Sequence, residues 1–384
     1  MSTVSQVFYI ETIGMNAFQL VLVGMTLELS CFIFEIPTGI VADRTSRKRS
    51  IVIGLSLMGM GFLLEGLWPF FYSVLVAQLI WGLGITFISG ADDAWIADEW
   101  QKEHLSSVYL RGAQVAQGGA LIGIGISIML AQLSYALPII LSGISFLILA
   151  MFLTACMPEQ HFHPLANHGL TSWNKWVGIA IAGFKYIRKS YMLWVALFVA
   201  LLQGLYSEGF DRLWTLHFLQ QFTLPEIGSL DPVVWFGILN GGAMVLNIIV
   251  VEWIRRRVEK SGNLEYVWIL ALINLFLMAA IVFFAFTSHF MLAIMTYWLV
   301  FILRGTNAPL FRAWINSQIK SSQVRATVMS TVGQVDALGQ IGGGPILGWI
   351  ALKSSVGLSI MSSSVILAPV VLLYVLIGIN NGRK

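Results

Sequence analysis

No Asp, Glu, Lys or Arg occurs between Ala113 and Met157, between Tyr266 and Leu303, or between Ser354 and Gly382. Hydrocarbon about 30 Å thick is crossed by roughly 20 apolar residues in a helix. The first two runs therefore hold two crossings each, the first with a turn near Gln132–Ser134, and the third holds one. Lipid offers no partner for backbone N–H and C=O groups, so each crossing is expected to be helical. Applied along the whole chain, this reading places spans near 17–42, 50–68, 70–96, 109–131, 135–156, 192–215, 232–254, 264–287, 290–312, 327–351 and 357–380. The expected fold class is an all-α polytopic membrane protein with eleven full transmembrane helices.

Composition agrees. Of the 384 residues, 57% are hydrophobic and 11% charged, against about 25% charged in soluble domains. The 14 Trp and 10 Tyr suit many membrane–water boundaries. Cys31 and Cys156 fall inside apolar segments and read as packing residues rather than a disulfide. The first residues lack a basic n-region, so the first span serves as the insertion signal.

The net charge is +3, but its placement says more than its sum. If the loop at 43–49 is cytoplasmic, alternate loops and the C-terminus are cytoplasmic too. All but Arg212, Arg304 and Lys353 of the 22 basic residues then lie on that side, as the positive-inside rule requires. Scattered among short loops, these residues make no nucleic-acid surface. Pro158–Ser190 is the longest polar interval. Within it Trp173, Trp176, Val177, Ile179, Ala180, Phe184 and Ile187 fall at helical spacing opposite Lys175, Lys185 and Lys189, which predicts an amphipathic interfacial helix. His161, His163 and His168 lack the Cys or carboxylate partners of a closed metal site. The expected organisation is a bundle at 1–157, a linker at 158–190 and a six-helix bundle at 191–384. The two bundles share an echo. Ala94-Trp95-Ile96 precedes Arg111 and a Gly-rich helix, and Ala313-Trp314-Ile315 precedes Arg325 and another.

The stretch Gly39 to Lys48 reads G-I-V-A-D-R-T-S-R-K, and F-E-I-P-T-G-I-V-A-D runs into it. This pattern resembles the loop 2–3 signature of the major facilitator superfamily, a family of secondary transporters. The resemblance implies two pseudo-symmetric helix bundles that alternate access to a midplane cavity. The family has twelve helices and its signature loop follows the second. Here it follows the first full span, so residues 1–14 are expected to be the last turns of a missing first helix. In the family this loop latches the two halves on the inner side, and Gly39, Asp43, Arg44, Arg47, Lys48 and Asp98 fall on matching positions, with Ser46 where Gly is usual. The bland alternative is that they set topology alone.

Ionisable groups inside spans cost a few kcal/mol when they face lipid. Glu28, Glu35, Asp92, Asp93, Glu208, Asp211 and Arg304 are therefore the candidates for substrate binding or proton coupling. Glu28 and Glu35 are seven residues apart and share a helix face. Glu208 and Arg212 are four apart and can pair, close to the end of the expected span. Arg304 needs an acid on a facing helix or an anionic substrate. Gly119, Gly123, Gly343, Gly344 and Pro345 belong to Gly-rich helices expected to pack closely. Gly39 is expected to admit a neighbouring helix in the same way. No H-E-x-x-H, G-x-S-x-G, P-loop or metal cluster occurs, so no enzyme, cofactor or metal is expected. The expected function is proton-coupled efflux of an amphipathic or drug-like small molecule by a monomer in the cytoplasmic membrane, its C-terminus cytoplasmic. Metabolite uptake and a truncated, non-transporting homologue stay open.

Overall fold

The computed structural model describes residues 2–100, 105–162, 186–188, 190–225, 231, 233–258, 263–319 and 322–382. Most of the expected amphipathic linker helix lies outside the described residues, as do His163, His168, Lys102, Lys175, Lys185, Lys189, Lys260, Lys320, Arg383 and Lys384. The described elements are helices. A short α1 (Ser2–Val7) passes into a π-helical turn (Phe8–Thr12), and Gly14 two residues on takes φ +73°. Then come α2 (Ala17–Arg44), α3 (Arg47–Leu67), α4 (Phe71–Ile88), α5 (Ala91–Glu99), α6 (Leu105–Ala131) and α7 (Ala136–Cys156). The later helices are α8 (Tyr191–Gln221), α9 (Val233–Val258), α10 (Asn263–Phe286), α11 (Phe290–Gln318), α12 (Ser322–Lys353), α13 (Val356–Val365) and α14 (Ala368–Gly382).

Ten helices among the described residues are long and apolar enough to cross a membrane. The eleventh expected span, 327–351, is the interior of α12. That helix forms in full but carries Arg325, Asp336, three glutamines and the glycines at 342–344, which dilute its apolar character. Two expected spans contain breaks. The span 70–96 bends at Ser89–Gly90, where Gly90 takes φ +74°, a conformation that side chains resist. The last span splits at Ile366–Leu367 because Pro369 follows, and proline sits most easily at a helix start.

The residues group into two compact units, 1–15 with 22–172 and 226–237, and 16–21 with 173–225 and 238–384. In the first unit α3 packs against α4 and α7. A Cβ added at Gly54 would sit 2.6 Å from the Gly84 carbonyl oxygen, and one at Gly59 would sit 2.9 Å from that of Gly143. Helices approach this closely in lipid where side chains are absent. Hydroxyls tie α2 and α3 to α4: Ser30 Oγ donates to Leu79 O (2.8 Å), Thr38 Oγ1 to Thr86 O (2.9 Å) and Ser50 Oγ to Phe87 O (2.7 Å).

In the second unit α8 lies along α12. Gly204 meets the Asp336 backbone, Gly339 that of Leu201 and Gly343 that of Leu205. Helix α10 packs on α11 and α14, and Asn274 Nδ2 donates to Asn307 Oδ1 at 2.9 Å in a fully buried pair.

The glycine expectation is met on one side only. Gly343 is tightly packed, Gly344 is buried beside it and Pro345 lies inside α12. At Gly119 and Gly123 a Cβ would meet nothing within 4 Å, and the same holds at Gly39. Helix α6 presents those glycines to open space, so their small size serves no contact here.

Candidate functional site

Two polar constellations stand out, one in each unit. In the second unit, α8 carries Tyr206, Phe210 and Trp214 four residues apart, which stacks them on one face. On α11, Tyr297, Phe301 and Arg304 follow at spacings of four and three and face α8. Arg304 engages Asp211 with both ends of its guanidinium: Nη1 bonds Oδ1, and Nη2 lies 2.6 Å from Oδ2. This fork-to-fork geometry is the strongest that arginine makes with a carboxylate. The guanidinium also lies over the rings of Tyr206 (5.8 Å) and Phe210 (5.9 Å), a cation–π arrangement. The Tyr297 ring lies tilted against Trp214, centroids 4.5 Å apart, and its hydroxyl donates to Asn240 Oδ1 at 3.0 Å.

Burial separates the floor from the opening. Tyr206, Phe210, Trp214 and Tyr297 are buried, whereas the side chains of Arg304 and Asp211 are 25% and 41% exposed. The ion pair is thus reachable while the aromatic floor is fixed. Arg304 finds the acid on a facing helix that its position demanded. Beside it Arg212 Nε reaches Glu208 Oε2 at 3.3 Å, and Glu208 is 1% exposed. The apolar pattern of α8 continues to Gln221 instead of ending at 215, which puts Glu208 and Asp211 mid-helix rather than near its end. A cavity of about 400 Å³ lies in the same unit, lined by Gln203, Arg312 and Asp336 among apolar residues. Asp336 Oδ2 accepts a bond from Gln340 Nε2.

The helix α11 is locally adapted to this task. Pro309 removes one backbone donor from its interior, and Gly305, one turn earlier, leaves room for the Asn247 side chain. The Asn247 amide points to the Phe301 carbonyl at 3.5 Å.

In the first unit the loop 43–49 forms an ionic cluster. Arg47 bonds Asp43 one turn back and lies 3.7 Å from Asp98 on α5. Asp43 therefore serves Arg47 on the following turn. Ser46 is the N-cap of α3, accepting from Arg49 N–H at 2.9 Å. Arg44 closes α2 in its last turn. The structure adds residues that the spacing pattern did not reveal. Glu159 accepts from Ser46 Oγ (2.6 Å) and from Lys48 N–H (3.0 Å). Glu99 accepts from the N–H groups of Gln160 (2.7 Å) and His161 (2.9 Å). Trp95 Nε1 donates to Pro158 O at 2.7 Å, and Arg47 lies over Phe162 at 5.7 Å. Glu159 follows α7 outside any periodic segment, so only its charge beside a polar stretch marked it.

The remaining candidates do not converge into one site. Glu35 accepts from Ser89 Oγ at 3.1 Å, next to the Gly90 break. Asp92 and Asp93 occupy the first turn of α5, where Asp92 Oδ1 accepts from Asp93 N–H at 2.9 Å, a placement favoured by the helix dipole. Glu28 lies two turns before Glu35 on α2. No cluster of His, Cys, Asp or Glu able to hold a metal occurs among the described residues.

Comparison with known proteins agrees with this architecture. The sequence profile of the Major Facilitator Superfamily matches residues 1–344. An uncharacterised MFS-type transporter of Bacillus subtilis (strain 168), YxaM, is 22% identical over 377 residues, covering 97% of this chain and 90% of that protein. Among solved structures, a variant of the nucleoside transporter NupG superposes with a TM-score of 0.79 at 14% identity, covering 97% of this chain and 94% of that one. A bacterial homologue of the human lysosomal transporter Spinster, inward-facing and unoccupied, gives 0.75 at 13% identity over 98% and 94%. A variant of the peptide transporter POT gives 0.70 at 13% identity over 100% and 94%. The chain belongs to the Major Facilitator Superfamily and is a multi-pass secondary transporter, not an enzyme.

Proposed function

We propose that this transporter couples solute movement to protons, and that the Arg304–Asp211 pair with its aromatic floor is where solute and proton compete. The carrying observation is a forked ion pair that is accessible on one side and rests on buried rings. Protonation of Asp211 or arrival of a cationic group of the solute at Asp211 each breaks the pair, so the two compete for one carboxylate and each biases the same two-state element. A solute with a planar ring and a polar or charged end fits this lining. Efflux of an amphipathic compound in exchange for protons is the first reading. Metabolite uptake is the second, favoured by the nucleoside and peptide transporters among the structural neighbours. The ionic cluster of Asp43, Arg47 and Asp98 is proposed as a conformational latch, with the 43–49 loop and the C-terminus on the cytoplasmic side. Arg47 reaching both carboxylates supports it.

The test uses purified protein in liposomes under an imposed pH gradient, with a panel of aromatic amphiphiles, nucleosides and short peptides. Solute-dependent proton flux that is lost in D211N supports the proposal. Solute movement that is indifferent to the gradient defeats proton coupling.

A further inference from the structure

Among the described residues of the first unit, the most deeply buried carboxyl group lies outside every constellation described above. Glu65 is 1% exposed and sits near the Trp68 end of α3, within an apolar span. Gln78 on α4 donates through Nε2 to Glu65 Oε2 (3.3 Å) and to Tyr9 Oη (3.2 Å). Tyr9 is buried on the π-helical turn, and its hydroxyl also bonds the Glu65 carboxyl. Glu65 Oε1 is buried with no hydrogen-bond partner. Next to Glu65, Gly66 is met from α7 by Ile140 and Ala136, both uncharged. Among the described residues of α1 and its π turn, α4 and α7, Tyr9 is the titratable group brought against Glu65. Among the described residues no Lys, Arg, His, Asp or Glu pairs with it.

An ionised carboxylate in this setting would have two neutral donors, no cation and one unmet oxygen. Burying that charge costs far more than burying the neutral acid. The lid is also unusual, because π-helical turns are rare and concentrate at functional sites. We propose that Glu65 is a proton-binding site of the first unit, closed by Tyr9 and Gln78 and opened when the π turn carrying Tyr9 shifts. On opening, the Glu65 O–H bond breaks and the proton passes to water. On closing, the carboxylate takes a proton back from water. This site is separate from the Arg304–Asp211 pair and does not depend on the reading of that pair.

The full chain in lipid nanodiscs, followed by infrared difference spectroscopy across a pH titration, tests it without any transported solute. The expected result is a protonated-carboxyl band that persists at neutral pH in the wild type and is missing from E65Q. Y9F, which removes one donor and little volume, is expected to shift the frequency of that band. Identical spectra for wild type and E65Q, or a band that titrates with ordinary exposed carboxylates, overturn the proposal. Should E65Q not fold, Y9F and Q78L decide: a band unmoved by both overturns it.

Discussion

Arg304 on α11 and Asp211 on α8 meet fork to fork, with Nη2 lying 2.6 Å from Oδ2. The pair spans two helices whose apolar faces leave each charge few alternatives. Removing one partner from a fully buried pair costs about 3–5 kcal/mol. Partial exposure of both side chains reduces this to about 1–3 kcal/mol here. R304A is expected to lower the melting temperature and to abolish transport. D211N combined with R304Q is expected to recover much of the stability and none of the transport. R304K keeps the charge but loses the fork, so transport falling by about tenfold or more, roughly 1.4 kcal/mol of coupling, separates geometry from charge.

Glycines of the two Gly-rich helices are expected to respond oppositely. A Cβ at Gly343 collides with the Leu205 backbone, which cannot step aside as a side-chain tip would. G343A is therefore expected to destabilise by about 1–3 kcal/mol, in the range of overpacked cores. G119A and G123A meet open space and are expected to leave the melting temperature unchanged or to raise it slightly, since Ala favours helix over Gly by about 1 kcal/mol. Melting curves of the three variants in one detergent check this, and equal losses would contradict it.

Asn274 and Asn307 form a dry polar contact between α10 and α11. Interhelical bonds of this kind contribute about 0.6–2 kcal/mol in membranes. N307L leaves the Asn274 amide with only its own-helix carbonyl, Leu270 O, and is expected to cost about that amount. The double variant N274L/N307L is expected to cost less than the two single losses added together, as read by thermal unfolding.

The membrane class and helix positions were legible because long uncharged runs have one physical solution. Arg304 was legible as a charge that needs a partner, and Asp211 as one candidate among several acids. What the pattern hides is tertiary. Periodicity says that α8 and α12 are helices, but not that Gly204 faces Gly339. Gly-rich stretches look alike whether they pack, as at Gly343, or lie open, as at Gly119. The turn at Ser89–Gly90 was hidden inside an apolar run, so Asp92 and Asp93 read as charges within one continuous span when they occupy a helix's first turn. Glu65 and Gln78 are thirteen residues apart on different helices, and nothing in their local sequence pairs them.

Glu159 joins the end of α7 to the start of α3 by accepting from both Ser46 Oγ and Lys48 N–H. It thereby serves two donors of the first turn of α3, where a carboxylate is also favoured by the helix dipole. E159Q keeps the shape and weakens both bonds, whereas S46A removes the cap and one donor to Glu159. A lost N-cap costs about 0.5–2 kcal/mol, so S46A is expected to fall in that range and E159Q below it. Combining S46A with E159A is expected to cost less than the sum of the single changes, because both act on one contact. Hydrogen exchange at residues 46–50 reads the effect where it arises. Faster exchange there in E159Q, with α8 and α11 unchanged, is the expected result. Unchanged exchange at 46–50 would show that Glu159 does not hold the start of α3.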